Sequence, residues 1–458
     1  MYRRLLCMFL LLSMPAVLTP LRSPATYAAP ARPNVVLIIV DTLRADHLSA
    51  YGYPRDTTPN LDAWIASQGV RFQNTSSTAS WTFPANAAMM TGMRPSSLGA
   101  TWETISSAFP GPARPLAERM HDASYYTAGF VTAGFVRRSL GFARGYDIYD
   151  DTLATRPLSE TLAGPLNSLA ISWLQSTWVP KLSGTKPLFL QVYYFDPHSW
   201  FNPPPPYDLR YDSTYTGTLT PERFQNGEDV LSGKLTPSPR DIEHLLALYD
   251  GEIAYTDAQI GQLLNYLQSI HVLDNALVIF TADHGEQFGE HGIWMHGNSV
   301  YEEATRVPLM MRYTGVISAG LVVDTPVQNM DLMPTVLDYT GLSVPAGLDA
   351  ISLRPQIAGR AAAADRDILS EVDGVTDPNA FAYWIAGRVD QRSLRHGSWK
   401  LIHQVGQDAD ELYQLRAASP YEVNNQAETR PDLDLELRRD LIKAFGLYRA
   451  LLPVVVSQ

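Results

Sequence analysis

Asn34-Val35-Val36-Leu37-Ile38-Ile39-Val40 holds six apolar residues in seven, five of them β-branched, and Asp41 closes it. A strand with one wet face would alternate, so this unbroken run predicts a strand covered on both sides. The same pattern recurs at Pro187–Phe195, which runs into Asp196-Pro197-His198, and at Ala276–Phe280, which runs into Thr281-Ala282-Asp283-His284-Gly285. A fourth run, Val307–Tyr313, follows Arg306. Helical patterns lie between them at Thr58–Gln68, Ala113–Asp122, Asp241–Ser269 and Asp331–Tyr339. In the third, Leu245, Leu246, Ile253, Ile260, Leu263, Leu264 and Leu267 keep helical spacing. Strands alternating with helices predict an α/β sandwich around a mostly parallel sheet. Three of the four strands end in polar, chemically capable residues. In such sheets ligands bind beyond the carboxyl ends of the strands.

The chain has 458 residues, 45% apolar and 18% charged, enough for one large domain or a large domain with a smaller one attached. Lys and Arg number 35 against 47 Asp and Glu, a formal net charge of −12, so the basic footprint of a nucleic-acid binder is missing. An anionic substrate would need a site that attracts it locally against this field. Residues 1–29 read as an export signal: Arg3 and Arg4, an apolar run from Leu5 to Leu18, then Thr26-Tyr27-Ala28-Ala29 with cleavage after Ala28 or Ala29. A secreted or periplasmic protein is expected, an uncleaved N-terminal anchor being the alternative. That run is short for a membrane span, and no later stretch approaches the roughly 20 apolar residues a span needs. Cys7, inside the leader, is the only cysteine, so the mature chain has no disulfide, thiolate metal site or cysteine nucleophile. Residues 30–360 are expected to form the main domain. From Ala361 the composition shifts, and 361–458 is read as a small antiparallel subdomain with strands around Trp399–Ile402 and Glu411–Leu415 and a helix at Leu433–Leu447. Pro203 to Pro206 must be extended, as a stiff wall beside His198 or as a surface loop. Substrate choice is expected from loops 100–112, 149–185 and 201–235. Trp81, Trp102, Trp200 and Phe201 are expected to pack within them rather than to line an aromatic subsite.

Asp41, Asp283 and His284 are far apart in sequence, yet each falls at a predicted strand end. Carboxylates with one imidazole suit Mg²⁺, Ca²⁺, Mn²⁺ or Zn²⁺, although such an acid taken alone is more often a cap or a surface residue. The segment Thr82-Phe83-Pro84-Ala85-Asn86 opens a helix that runs through Ala87–Met90 and stops at Gly92. Thr82 therefore stands where amide donors and the positive end of the helix dipole gather, as a reactive hydroxyl or simply as the cap.

These stretches together resemble the sulfatase family of the alkaline phosphatase superfamily over nearly the whole mature chain. The matching segments are Asn34–Asp46, Thr58–Asp62, Thr82–Gly92, Tyr194–His198, Tyr249–Asp257, Thr281–Glu286 continuing to His296-Gly297 and Tyr301-Glu302-Glu303, and the tail with Trp399–Ile402 and Glu411–Tyr413. The resemblance implies an alkaline phosphatase-like α/β/α sandwich and one divalent metal ion bound by Asp41, Asp283 and His284, with the Thr82 oxygen. Thr82 falls at the nucleophile position, His198 at a histidine contacting the ester oxygens, and His296 where a lysine or histidine assists the leaving group. Thr42 stands where many members place a second acidic ligand. His291 matches the motif as a site residue or a packed structural one. His47, His121, His244, His271, His396 and His403 match no catalytic position.

The chain departs from the family at the nucleophile. Typical sulfatases carry Cys-x-Pro-x-Arg, its cysteine or serine oxidised to formylglycine; here Thr82 and Asn86 replace both ends. A sulfated formylglycine hydrate expels sulfate by collapsing to the aldehyde, and a threonine ester has no second hydroxyl with which to do so. A phosphoryl group on threonine can instead be removed by water. The expected activity is therefore metal-dependent hydrolysis or transfer of a phosphate mono- or diester, on a small-molecule, glycan or lipid-headgroup substrate. A sulfatase working without formylglycine and a silent anion- or glycan-binding relative are the alternatives.

Overall fold

The computed structural model describes residues 32–447 except 103, 106–112, 157–161, 225–227, 361–365, 374–389, 408 and 417–419. The expected leader, 1–29, lies outside them. Strand β1 (Asn34–Val40) is the middle of a sheet built with β2 (Val70–Ser76), β3 (Tyr126–Val131), β4 (Ile148–Asp150), β5 (Leu188–Tyr194) and β6 (Ala276–Ala282). A hairpin of β7 (Gln287–Phe288) and β8 (Trp294–Met295) stands apart; β9 (Arg306–Tyr313), β10 (Leu321–Val323) and β11 (Val327–Gln328) return to the sheet. The order is β10-β2-β9-β6-β1-β5-β3-β4, with β11 also on β2. Only β9 runs antiparallel to its neighbours, β2 and β6. The register does the functional work: Val40 lies opposite Ala282 on one side and Tyr194 on the other. Asp41, Asp283 and Phe195 therefore leave three adjacent strands at one edge.

Both faces of β1 are covered, as its composition requires. Val35, Leu37 and Ile39 pack on one side with Phe83, Ala87 and Met89 of the helix Thr82–Thr91 and with Leu332, Met333 and Val336 of the helix Leu332–Tyr339. Val36, Ile38 and Val40 face Leu245, Ile253, Ile260 and Leu264 of the 31-residue helix Pro239–Ser269. Burying each such side chain is worth about 1.5–3 kcal/mol. The long helix begins two residues before the expected Asp241, because Ser238 and Asp241 form a capping box with Pro239 in the first turn.

Two sequence expectations change. The helix expected at Thr58–Gln68 is a short α turn, Pro59–Leu61, followed by a wider π turn, Asp62–Ala66. Asp257 on the long helix accepts hydrogen bonds from the Asn60 and Leu61 amides and ties this turn down. Strands β2, β3 and β4 were not anticipated. β2 is only partly apolar, and β3 contains Gly129, where a Cβ would lie 2.7 Å from the Tyr149 ring.

The C-terminal residues form an antiparallel sheet of β12 (Ile368–Val372), β13 (Gln391–His396), β14 (Trp399–Gln404) and β15 (Asp410–Gln414), backed by the helix Pro431–Phe445. Leu394, Leu401, Leu412, Leu437 and Leu441 make its core. Its edge docks just before Thr82: the Glu371 amide donates to the Thr78 carbonyl at 2.9 Å, and the Ser370 hydroxyl to the Ser77 carbonyl at 2.6 Å.

The proline stretch is held against the long helix. Gly251 makes the fit possible, since a Cβ there would stand 2.6 Å from the Tyr207 carbonyl oxygen and 2.9 Å from Pro203, and Glu252 accepts the Asn202 amide at 2.8 Å. Gly251→Ala is expected to lose about 1–3 kcal/mol through overpacking, measured as a lowered urea midpoint with an unchanged m-value.

Candidate active site and metal centre

The strand register places Asp41 and Asp283 side by side, both fully buried. The His284 amide donates to Asp283 Oδ1 at 2.9 Å. Its ring Nδ1 lies 3.0 Å from the Gly285 carbonyl oxygen; a carbonyl can only accept, so Nδ1 carries the hydrogen and Nε2 the lone pair. That nitrogen is 3.5 Å from Asp41 Oδ1, 3.5 Å from Asp283 Oδ2 and 3.3 Å from Thr82 Oγ1. Neither carboxylate oxygen of Asp41 makes a hydrogen bond of good geometry. Burial, and then the charge of Asp283, hold the Asp41 pKa well above the carboxylate range, against a partial pull downward from Tyr193. Two dry carboxylates and an imidazole lone pair aimed at one point repel one another unless a cation sits among them. The ligand atoms of Asp41, Asp283 and His284 lie within 4.8 Å of one another, so these residues fit a divalent ion.

Thr82 is the first residue of its helix. Trp81 occupies the cap position, and no side chain caps the end. The Thr82 hydroxyl therefore turns to the acid cluster instead of capping. Asn86, one turn on, donates from Nδ2 to the Thr82 carbonyl at 2.8 Å and to Asp283 Oδ2 at 3.0 Å. Asn86 thus ties the helix start to an acid. Tyr193 donates its hydroxyl proton to the same Asp283 oxygen at 2.7 Å. Thr42 is buried with a φ of 51°, a left-handed backbone that strains a β-branched residue. Its hydroxyl has no hydrogen-bond partner, and its carbonyl accepts from Tyr249 at 2.8 Å.

His198 and His296 reach the same place from other elements. The His296 ring lies 4.6 Å from that of His284 and 4.9 Å from that of His198. Its Nδ1 meets Glu286 at 3.0 Å. Glu286 is buried, and burial pushes its carboxyl up to about 7. His198 donates from Nδ1 to the Ser199 carbonyl at 2.9 Å and stacks on Phe195. Burial, reinforced by His296, pulls its pKa down to about 3. The turn carrying His198 is anchored by Asp196, which accepts the Leu162 amide.

All six residues named from the sequence thus converge. The sequence reading missed Glu286 and Tyr193. Glu286 lies inside a quoted motif, two residues past His284, whereas Tyr193 sits in an apolar strand with nothing to set its hydroxyl apart. His291 stands elsewhere, beside Glu303. The remaining histidines pair with acids, His47 with Asp250 and His403 with Asp410 among them. Phe201 is buried among Phe224, Tyr249 and Phe288, and Trp81 stacks on Trp102 at 4.3 Å.

Comparison with known proteins gives the same grouping. The sulfatase family matches residues 33–342, and the N-sulphoglucosamine sulphohydrolase C-terminal family matches 289–444. The chain belongs to the sulfatase family. It is 27% identical over 382 residues to an arylsulfatase of Clostridium perfringens, covering 72% of this chain and 79% of that one. Among solved structures, the phosphonate monoester hydrolase of Agrobacterium radiobacter superposes with a TM-score of 0.74 at 23% identity, covering 92% and 97%. A protein solved with its substrate D-glucosamine-2-N,6-O-disulfate does so with a TM-score of 0.71 at 21% identity, covering 92% and 99%. The protein is an ester hydrolase of the sulfatase type, a family whose members generally use a divalent metal ion. Among the described residues no helix is long and apolar enough to cross a membrane.

Asp283→Asn is expected to lower bound Mn²⁺ by one equivalent in equilibrium dialysis. Tyr193→Phe keeps the ligands but loses their support, and should weaken that ion about 10- to 100-fold.

Proposed function

We propose that this chain is a secreted phosphoester hydrolase that works through Thr82, with Asp41, Asp283 and His284 holding a divalent ion. The observation that carries the reading is the Thr82 hydroxyl, 3.3 Å from His284 Nε2 within the buried acid cluster. A bound divalent ion would supply a lowered hydroxyl pKa and positive charge against the phosphoryl oxygens. Thr82 Oγ1, its proton released to solvent, attacks phosphorus in line as the bond to the leaving oxygen breaks. Asn86 keeps the helix start fixed against Asp283 during that attack. His296, held through Nδ1 by Glu286, gives a proton from Nε2 to the leaving oxygen. His198, its Nδ1 hydrogen committed to Ser199, lies against the same oxygens and limits where the ester can sit. Water then attacks phosphorus, giving one proton to His296 and keeping the other on the phosphate, while the O–P bond to Thr82 breaks and the Thr82 oxygen takes a proton back from solvent. The leader at 1–29 supports export, and a small-molecule, glycan or lipid-headgroup ester is the substrate class.

A second reading, sulfate ester hydrolysis without formylglycine, is favoured by the names of the arylsulfatase relative and of the disulfated glucosamine bound to a structural neighbour. Against it stands the inability of a threonine sulfate to collapse. Purified protein with Mn²⁺, Zn²⁺, Mg²⁺ or Ca²⁺ is expected to turn over aryl phosphate or bis-aryl phosphate faster than aryl sulfate. Thr82→Ala should lose that turnover by ~10³-fold or more, together with the phosphoryl adduct seen by mass spectrometry on the Thr82 peptide. Wild-type rates in Thr82→Ala would sink the reading, and faster turnover of aryl sulfate would move it to the second.

A further inference from the structure

Six histidines, His47, His244, His271, His296, His396 and His403, close on a carboxylate at 2.6 to 3.0 Å. These are ordinary hydrogen-bond distances. His121, exposed at the surface, pairs loosely with Asp147 at 3.4 Å. Two sites, one buried and one at the solvent edge, stop short. At the first, His284 Nε2 stays 3.5 Å from both aspartates. At the second, His291 Nε2 stays 3.5 Å from Glu303 Oε2. Atoms bound at about 2.0–2.2 Å around a tetrahedral ion lie roughly 3.3–3.6 Å apart, so this spacing also fits ligands around a common ion.

We propose that His291, Glu303 and Glu422 form a second divalent-cation site, distinct from the Asp41–Asp283–His284 cluster and suited to Zn²⁺ or Mn²⁺. Their ligand atoms lie within 4.8 Å of one another. Glu303 is 4% exposed, and the nearest partner of its Oε2 is His291 Nε2, at 3.5 Å. The neighbouring cations lie mainly on Glu302, with Lys400 shared between Glu302 and Glu422. Lys400 Nζ bonds Glu302 Oε1 at 2.7 Å and also meets Glu422 Oε1 at 2.7 Å, while Arg306 and Arg395 act on Glu302. Glu422 Oε2 accepts the Glu302 amide at 3.1 Å. Each carboxylate oxygen has two lone pairs, so Glu422 keeps capacity for an ion. His291 is held in plane by stacking on Tyr301 at 3.8 Å. Its side chain is 19% exposed, which gives an ion a route in and a position for water. Two carboxylates and one imidazole match borderline divalent metals.

The site joins three segments that sequence separates: the turn Glu290–Gly292 past the His284 motif, the Glu302–Thr305 turn, and the C-terminal segment carrying Glu422. The second of these supports the first site directly, because the Gly285 amide donates to the Ala304 carbonyl at 2.9 Å. An ion here staples the C-terminal region to the loop between His284 and His296. This inference does not depend on which ester is cleaved.

Full-length protein is stripped of metal, dialysed against Zn²⁺, freed of excess, and analysed for bound zinc. Wild type is expected to hold two equivalents, and His291→Gln and Glu303→Gln one each. In an Asp283→Asn background, Zn²⁺ should still raise the melting temperature, and adding His291→Gln should abolish the rise. His291 lies at the solvent edge, so His291→Gln tests the site even where Glu303→Gln disturbs folding. Zinc content equal to wild type in His291→Gln, or a melting rise that survives it in the Asp283→Asn background, overturns the proposal.

Discussion

Two buried carboxylates forced against each other at the ends of adjacent parallel strands organise this molecule. Asp41 and Asp283 would separate if the backbone allowed it, since like charges in a dry interior repel strongly. The register of β1 against β6 prevents that. Val40 and Ala282 are paired, both strands are sealed above and below by apolar side chains, and the residue after each must emerge beside the other. The energy of the hydrophobic sandwich thus holds an arrangement that is unfavourable taken alone and becomes favourable around a cation. Tyr193 and Asn86 lower the cost by donating to one Asp283 oxygen, leaving the other atoms of the cluster aimed at a common point.

Around that pair, each element delivers one group from a different direction. The helix Thr82–Thr91 brings its first hydroxyl to the cluster, and its start is braced from behind by β12, whose edge pairs with the segment at 77–79. The C-terminal sheet is therefore part of what positions Thr82. His198 comes from the turn after β5, fixed by Asp196, and His296 from the hairpin after β6, fixed by Glu286. Thr82 and Asn86 sit at the start of the helix Thr82–Thr91, where the proposed chemistry would take place. Asn86 makes two hydrogen bonds, to the Thr82 carbonyl and to Asp283, and Thr82 offers one oxygen to the cluster.

The strands with both faces covered were legible because burial on two sides leaves only one kind of sequence. The half-covered or glycine-containing strands were not: β2 mixes Arg71, Gln73 and Asn74 with its apolar residues, and β3 needs Gly129 to admit Tyr149. The short turn at Pro59–Ala66 read as a helix because its apolar spacing is helical, while the Asp257 carboxylate that reshapes it lies almost two hundred residues away. At the site, residues at strand ends and within motifs could be named. Those acting through the third dimension, Tyr193 on Asp283 and Glu422 beside His291, carry no local sign of their role.

By itself the sequence determined the α/β class, the polar residues at the strand ends, the absence of any cysteine after Cys7, and the threonine at position 82. Side-chain type and periodicity are local properties, and these follow from them. Tertiary structure alone decided which atoms of those residues face one another. It fixed the tautomer of His284 through the Gly285 carbonyl, turned Thr82 from a cap into a member of the acid cluster, and set His291 among glutamates from two distant segments. Distances of a few ångströms between residues far apart in the chain are set by packing and register, which no single stretch of sequence contains.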